Sequence, residues 1–199
     1  MENWELGAHK RKTEFEDALL ALMVQKPYSE ITIVDLIQRV GVSRKTFYLH
    51  FRHKDACLES LTDRLLFEQT SHIAAVHQSQ DMVSFHRAGC EYWLCQKNYL
   101  RSIRKNDLFL HLLQRALYYI RTEEQQIAQL LCMPYQQNDD DILTFYVTGY
   151  IAVLINWAGR DFDTPTDVLA KKLERLLQFS LFPECEGQSV FDRTRSAML

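Results

Sequence analysis

The chain contains 199 residues, of which 47% are hydrophobic and 25% charged, and its formal net charge is -3. This length is enough for one sizeable core, or for a small domain joined to a larger one. The N-terminus lacks the apolar core of a signal peptide, and the apolar run Tyr150–Ala158 is much shorter than the roughly 20 residues that cross a bilayer. These features argue against a membrane protein, and we expect a cytoplasmic location.

Turn-forming residues are few, with only six glycines and four prolines, which predicts long helices joined by short connections. No internal repeat and no convincing strand pattern is visible, so the fold class that we predict is all-α. The five cysteines are odd in number, irregularly spaced and without a CxxC pair. Cysteines in this arrangement are not expected to form a disulfide framework.

Two helices are predicted before the first glycine turn. Apolar residues at helical spacing indicate a helix over residues 9–25, and Pro27 ends it because proline disfavours helical geometry in the residue before it. Thr32 then caps a second helix, with Asp35 three residues on in the position of a capping box. Gly41 ends this helix, where a left-handed residue is needed.

A short third helix follows the glycine turn. Ser43 is placed to cap it, and Phe47 and Phe51, four residues apart, are expected to face the core. Between Asp35 and Asp55 the chain has no acid but five bases, which are Arg39, Arg44, Lys45, Arg52 and Lys54. A nearly neutral protein with one concentrated basic patch would meet an anion through that patch.

The remaining pattern predicts further helices and a second domain. The helices run from Lys54 to about His77 and then cover residues 81–104, 107–132, 141–159 and 165–181. The segment after Pro183 has little apolar pattern and predicts a loose tail. We divide the chain into a helix-turn-helix domain at 1–54 with its core at 9–54, a larger helical domain at 55–183, and a tail at 184–199.

The segment Ile31–Leu61 resembles the DNA-binding signature of the TetR/AcrR family of transcriptional regulators. It contains the threonine that starts the second helix, a Gly-Val-Ser turn, a Thr-Phe-Tyr-x-His-Phe recognition helix and a Lys-Asp pair. These elements are Thr32, Gly41-Val42-Ser43, Thr46-Phe47-Tyr48, His50-Phe51 and Lys54-Asp55. The second half more weakly resembles the branch of the family that contains regulators of dihydroxyacetone kinase operons.

The resemblance implies a DNA-binding role for named residues. The base-contacting residues would be Ser43, Arg44, Lys45 and Thr46, at the end of the recognition helix that meets base edges. The phosphate-contacting residues would be Thr32, Tyr48, His50 and Lys54. Lys10, Arg11 and Lys12, placed just before the first helix, would reach the neighbouring minor groove. Many relatives have a small residue in the place of Lys45, so its base contact cannot be transferred from them.

The resemblance also implies a homodimer formed by the last two long helices, over residues 145–177, and an effector site in the second domain. Gly149 would allow close helix approach and Trp157 would be a large anchor. Ten aromatic residues could line an effector cavity or be plain core: Phe85, Tyr92, Trp93, Tyr99, Phe109, Tyr118, Tyr119, Phe145, Tyr146 and Tyr150. The effector and the residues that contact it remain unassigned.

The predicted function is a sequence-specific DNA-binding regulator, a homodimeric repressor of a double-stranded DNA operator. The alternatives are an accessory coregulator and a metal-responsive regulator. His86 and Cys90 are four apart on one helix, and His72, His77, His111 and Cys132 could supplement them. Because no compact set of three or four ligands is visible, we predict no metal and no cofactor. No GxSxG, HExxH, GxxxxGK or GxGxxG motif occurs, so we predict no enzymatic activity.

Overall fold

The structure is a computed structural model that describes residues 2–76, 81–123 and 140–181. These residues are helical with short connections and contain no strand, which confirms the all-α prediction. The helices are α1 (Glu2–Gln25), α2 (Ile33–Val40), α3 (Arg44–His50), α4 (Lys54–Val76), α5 (Met82–Cys95), α6 (Lys97–Lys105), α7 (Phe109–Thr122), α8 (Asp140–Gly159) and α9 (Thr166–Leu181). A single 3-10 turn, Tyr28–Glu30, lies between α1 and α2.

The helix-turn-helix is set by the capping residues that the sequence indicated. The Thr32 hydroxyl accepts a hydrogen bond from the Asp35 backbone N–H, and the Asp35 carboxylate accepts one from the Thr32 N–H, so the capping box is complete. Gly41 has a φ of 74°, in the left-handed region, where a side chain is costly. The Ser43 hydroxyl caps α3 by accepting from the Thr46 N–H.

Three predicted boundaries differ from the structure. The first helix begins at Glu2, well before residue 9. The helix predicted over 81–104 is divided at Gln96, which ends α5 and begins α6, and the turn there brings Tyr99 and Ile103 into the core. The helix predicted over 107–132 is described only as α7, up to Thr122. The remainder of that prediction and the tail at 184–199 lie outside the described residues.

One hydrophobic core runs through the described part of the molecule. It includes Phe15 and Phe47 near the helix-turn-helix, and Trp93 and Trp157 in the larger helical part. Helix α1 packs on α4 and α6, α5 packs on α4 and α9, and α8 packs on α6 and α7. The N-terminal helices therefore rest directly on the larger helical part.

Helix α8 begins one residue before its predicted range and is the most apolar of the described helices. Its 20 residues have the length and composition of a membrane-spanning helix, with a mean hydropathy of 1.5 over the best 18-residue window. Of that window, 39% is buried inside the protein, including Val147, Ile151 and Leu154. These side chains belong to the hydrophobic core, and the helix packs on α6 and α7, as expected of a core helix.

Candidate nucleic-acid interface

The recognition helix α3 is held from behind by aromatic packing. Phe47 and Phe51 are buried, and the Phe15 ring of α1 lies edge-on to Phe47 with centroids 5.3 Å apart. Since this side of α3 faces the core, Arg44, Lys45 and Tyr48 are left on the exposed side. The predicted sorting of α3 into a core face and an outward basic face is therefore present.

Arg44 and Tyr48 lie together on the exposed side of α3. The Arg44 guanidinium donates to the Tyr48 hydroxyl over 3.4 Å and stands 5.8 Å from the centre of its ring. Lys45 is exposed and has no hydrogen bond or ion pair within the described residues. Arg44 and Lys45 can therefore reach an anion or a base edge without breaking a buried contact.

The hydroxyls of the predicted DNA contacts already serve the helix caps. Ser43 and Thr46 share a hydrogen bond of 2.9 Å between their side-chain oxygens. The Thr32 hydroxyl also donates to the Asp35 carboxylate over 2.7 Å. The hydrogen bonds from Lys26 and Thr32 hold the pKa of Asp35 at about 2, so this carboxylate stays ionised. A DNA contact by these hydroxyls would use their remaining acceptor lone pairs or a rotated O–H.

Lys54 is a structural residue as well as a predicted phosphate contact. Its half-buried ammonium donates to the backbone carbonyls of Tyr28, over 2.6 Å, and Ile31, over 2.8 Å. It also lies 4.0 Å above the Tyr28 ring. Burial lowers the pKa of Lys54. Only one of its three N–H groups is left for a phosphate.

His50 and the basic residues of α1 form one end of the interface. The half-buried His50 ring packs near Phe15, with centroids 6.2 Å apart. Its pKa is lowered by burial first and then by the charges of Arg11 and Lys12. Burial and the nearby positive charges therefore favour the neutral imidazole, which can donate one hydrogen bond to a phosphate.

Lys10, Arg11 and Lys12 lie within α1 and not in a segment before it, which corrects the predicted position of the arm. Arg11 is paired with Glu14, one turn further along the same helix, over 2.5 Å. These bases therefore contribute to a rigid helical surface beside α3.

Tyr28 is the structural residue that sequence reasoning missed. Its backbone N–H donates to the Asn106 side chain over 2.6 Å, its carbonyl accepts from Lys54, and its hydroxyl donates to Asp55 over 2.5 Å. Asn106 in turn donates to the Ser102 carbonyl of α6 over 2.8 Å. No local pattern marks a contact between residues 78 apart. These bonds tie the α1–α2 connection to both α4 and the end of α6.

Residues 17–61 match the family described as bacterial regulatory proteins, tetR family. This segment of the chain is therefore similar to the N-terminal DNA-binding domain of the TetR family. A curated relative, the HTH-type transcriptional regulator EthR of Mycolicibacterium smegmatis, is 44% identical over 55 residues, which is 26% of this chain and 25% of EthR. The uncharacterized HTH-type transcriptional regulator YxbF of Bacillus subtilis is 20% identical over 192 residues, 90% of this chain and 48% of YxbF. The chain spans about half the length, or less, of these curated relatives.

Solved structures of other bacterial regulators have a similar fold. A TetR transcriptional regulator from Streptococcus agalactiae is 18% identical, with a TM-score of 0.63 over 88% of this chain and 98% of its own. The fatty acid degradation regulator FadR from Bacillus halodurans is 16% identical, with a TM-score of 0.56 over 86% and 96%. The TetR family repressor AlkX from Dietzia is 14% identical, with a TM-score of 0.54 over 84% and 94%. At these identities the likeness is one of fold.

The second half of the chain contains a cavity of about 80 Å³ between α4, α5, α7 and α8. Half of the ten aromatic residues singled out in the sequence line it, namely Phe85, Trp93, Tyr119, Tyr146 and Tyr150. Tyr92 and Tyr99 are core residues away from the cavity, Phe109 is half-buried, and Tyr118 and Phe145 are exposed. The aromatic residues therefore divide between cavity, core and surface. The weaker resemblance to dihydroxyacetone kinase regulators stays a prediction.

The His86 and Cys90 side chains are both fully buried, one turn apart on α5. Burial lowers the pKa of His86 to about 4 and raises that of Cys90 to about 12, so both are neutral at pH 7. Among the described residues, no group of three His, Cys, Asp or Glu side chains could hold a metal ion. His111 instead shares a hydrogen bond of 3.0 Å with Thr62. His77 and Cys132 lie outside the described residues.

The last two helices expose an apolar face. Phe145 of α8 and Leu176 of α9 are 60% and 57% exposed, and they border a shallow groove with Gly149. A Cβ added to Gly149 would meet no atom within 4 Å, so its surface is open. Trp157, predicted as an anchor, is buried within the chain, where its indole donates to the Thr164 carbonyl over 2.9 Å.

Proposed function

We propose that this chain is a homodimeric, sequence-specific DNA-binding transcriptional regulator that acts as a cytoplasmic repressor of a double-stranded DNA operator. The observation that carries the proposal is the exposed pair Arg44 and Lys45, on a short helix fixed by the Gly41 turn and the buried Phe47. This arrangement presents two long cationic donors at the helix end that enters the major groove in helix-turn-helix proteins. The structurally similar AlkX is a TetR family repressor, which also supports a repressor role.

The contacts divide into base readout and backbone positioning. Arg44 would bond bidentately to guanine, and Lys45 would reach a neighbouring base or phosphate, with Ser43 and Thr46 beside them. Tyr48, His50, Thr32 and the remaining N–H of Lys54 would position the phosphate backbone. Lys10, Arg11 and Lys12 would add phosphate contacts from α1, since they lie on a helix and not on a flexible arm.

Dimerisation through α8 and α9 would set the spacing of the two recognition helices. The apolar groove around Phe145, Gly149 and Leu176 supports this proposal. A two-fold dimer reads half-sites about 34–36 Å apart, one turn of DNA. An effector in the cavity of the second half would change that spacing and so the DNA affinity, because both halves must fit at once.

Replacing Arg44 with alanine tests base readout. We expect the affinity for the preferred operator, selected from a random DNA pool, to fall by about 1–3 kcal/mol, because a bidentate pair to guanine is lost. The preference for that sequence over others should relax at one base position of each half-site. Quantitative gel-shift titrations on the selected and scrambled sequences measure both effects.

The matched control is Lys97→Ala, which removes one positive charge from the exposed start of α6. It should leave the DNA preference unchanged. If Arg44→Ala lowers the affinity for all DNA sequences equally, Arg44 contacts only phosphate and not a base. DNA binding that does not weaken with salt would contradict the proposal and favour a coregulator, because neutralised phosphates release counterions.

A further inference from the structure

The cavity wall consists almost wholly of hydrocarbon. Its lining side chains come from α4, α5, α7 and α8, and none of those described is charged. Phe85, Leu112 and Val147 are typical of this wall. The volume of about 80 Å³ is roughly half that of an engineered cavity of ~150 Å³ that takes up benzene. The cavity therefore accepts a few non-hydrogen atoms without rearrangement.

Two phenol groups form a polar edge on this apolar wall. Tyr146 and Tyr150 lie one turn apart on α8, with parallel rings whose centroids are 6.3 Å apart. The Tyr150 hydroxyl accepts a hydrogen bond of 3.0 Å from the Gln69 amide. Among the described residues, neither phenol proton has a hydrogen-bond acceptor. Burial raises the pKa of both phenols, so both remain O–H donors at neutral pH.

The groups behind the phenols are also uncharged. The buried His86 ring stands 6.2 Å from the Tyr146 ring and 6.1 Å from the Tyr150 ring, between centroids, and neither of its nitrogens has a partner. His86 and Cys90 are both neutral at pH 7, as their pKa values require. A charged ligand in this cavity would lose its hydration shell and gain no counter-ion, which is strongly unfavourable.

We propose that the ligand is a small uncharged molecule with an apolar body and one hydrogen-bond acceptor oxygen, such as a ketone, an aldehyde or an alcohol. The oxygen accepts a hydrogen bond from the hydroxyl of Tyr146 or Tyr150, and the body packs against the apolar wall. The role of the cavity as an effector site rests on the proposed function. The chemical class of the ligand follows from the apolar, uncharged side chains that line the cavity and from its two phenol donors.

Gly89 makes room for the polar edge. A Cβ at this position would lie 2.6 Å from the Tyr150 hydroxyl oxygen and 3.3 Å from the Gln69 amide nitrogen. Both distances are shorter than a van der Waals contact, so a side chain at residue 89 would displace the Tyr150 hydroxyl from its place. Gly89 is therefore a specificity-determining position, because it fixes where the acceptor oxygen must lie.

The test compares four compounds with the same carbon chain: butan-2-one, butan-1-ol, butanoate and butylammonium. Each is titrated into the full chain without DNA, and binding is followed by calorimetry and by the indole N–H signal of Trp93, which lines the cavity. We expect the two neutral compounds to bind at least tenfold more tightly than either ion. This comparison uses the unsubstituted protein, so it does not depend on the folding of a variant.

Tyr146→Phe, Tyr150→Phe and Gly89→Ala test the polar edge. Loss of one hydrogen bond should weaken butan-2-one binding about three- to tenfold in at least one of the two phenylalanine variants. Gly89→Ala should weaken it as well. Tyr118→Phe removes a phenol that is 57% exposed and outside the cavity, and it should leave binding unchanged. Thermal unfolding of each variant confirms that it is folded.

Three results would overturn the proposal: no binding of any compound, binding of an ion as tight as that of the neutral pair, or full affinity in both phenylalanine variants. DNA affinity is then measured separately with and without butan-2-one. Binding of the neutral compounds with no change in DNA affinity would contradict effector control while supporting the chemical class of ligand. Failure to bind DNA at all would contradict the proposed function alone.

Discussion

His86 shows how one buried side chain can make stability depend on pH. Its ring is fully buried next to Phe85, Tyr146 and Tyr150, and neither nitrogen has a hydrogen-bond partner. Burial lowers its pKa from 6.5 to about 4, so the folded state takes up the proton much less readily than the unfolded state. The neutral, buried His86 therefore makes its whole contribution to stability above pH 6.5, and this contribution is lost as the pH falls from 6.5 towards 4.

We predict that His86→Leu flattens the pH dependence of stability. The lowered pKa of His86 implies that the free energy of unfolding falls by about 2 kcal/mol between pH 7 and pH 5. The leucine variant should lose that much less over the same range, because its side chain binds no proton. Urea unfolding at the two pH values measures the difference. His9→Leu, at an exposed position of α1, is the control, and an unchanged pH dependence for His86→Leu would refute the assignment.

At the scale of the element, the turn between α2 and α3 depends on one backbone conformation. Gly41 has a φ of 74°, and its N–H bonds to the Ile37 carbonyl over 2.9 Å. A Cβ at this position would meet no atom within 4 Å, so a substitution there costs conformational energy and not a steric clash. The angle between α2 and α3, which aims the recognition helix, is set by this residue.

Gly41→Ala should therefore destabilise the protein by about 1–2 kcal/mol, the cost of a left-handed alanine. DNA affinity should fall with it, since the turn aims α3. Gly7→Ala is the matched control, because Gly7 lies in α1 with no atom within 4 Å of an added Cβ and should gain helix propensity. Denaturant unfolding and gel-shift titration give the two readouts. If Gly41→Ala left the stability unchanged, the conformation of the turn would have to be maintained by other interactions.

Asn106 joins the α1–α2 connection to the end of α6, and removing its side chain should destabilise both segments. Asn106→Ala leaves the half-buried Tyr28 N–H without its acceptor, and we expect a loss of about 1–2 kcal/mol of stability. Asn106→Asp keeps the acceptor but not the donor to the Ser102 carbonyl, so it should recover part of the loss. Chemical denaturation of the three proteins checks this order. Equal losses for both variants would contradict the role of the acceptor.

Local chemistry explains which elements the sequence predicted well. Thr32, Gly41 and Ser43 act through neighbours within a few residues, so their caps and turn could be read directly. The division at Gln96 carries no glycine or proline and is driven by burial of Tyr99 against distant helices. The contacts of Lys54 with two carbonyls likewise depend on the folded path of the chain. Such features require the three-dimensional structure.

At the scale of the whole molecule, the exposed apolar face of α8 and α9 supports the proposed homodimer. Phe145→Asp places a charge in the apolar groove, where it would be desolvated on association. We predict a shift from dimer to monomer and a large loss of affinity for a two-half-site operator. Sedimentation velocity and DNA titration test this together. Leu110→Asp, at an exposed apolar position of α7, should change neither, and an intact Phe145→Asp dimer would locate the interface elsewhere.

Helix α4 belongs to both halves of the molecule at once. Leu58 and Leu61 are buried with the N-terminal core, and Arg64 ties α4 to Glu16 of α1 over 2.6 Å. Further along the same helix, Leu66 and Gln69 line the cavity. A chimera made by exchanging residues 1–54 would therefore cut through shared packing at its junction. If the proposed function holds, the DNA sequence preference is better changed by point substitutions on the exposed side of α3, which leave every buried contact in place.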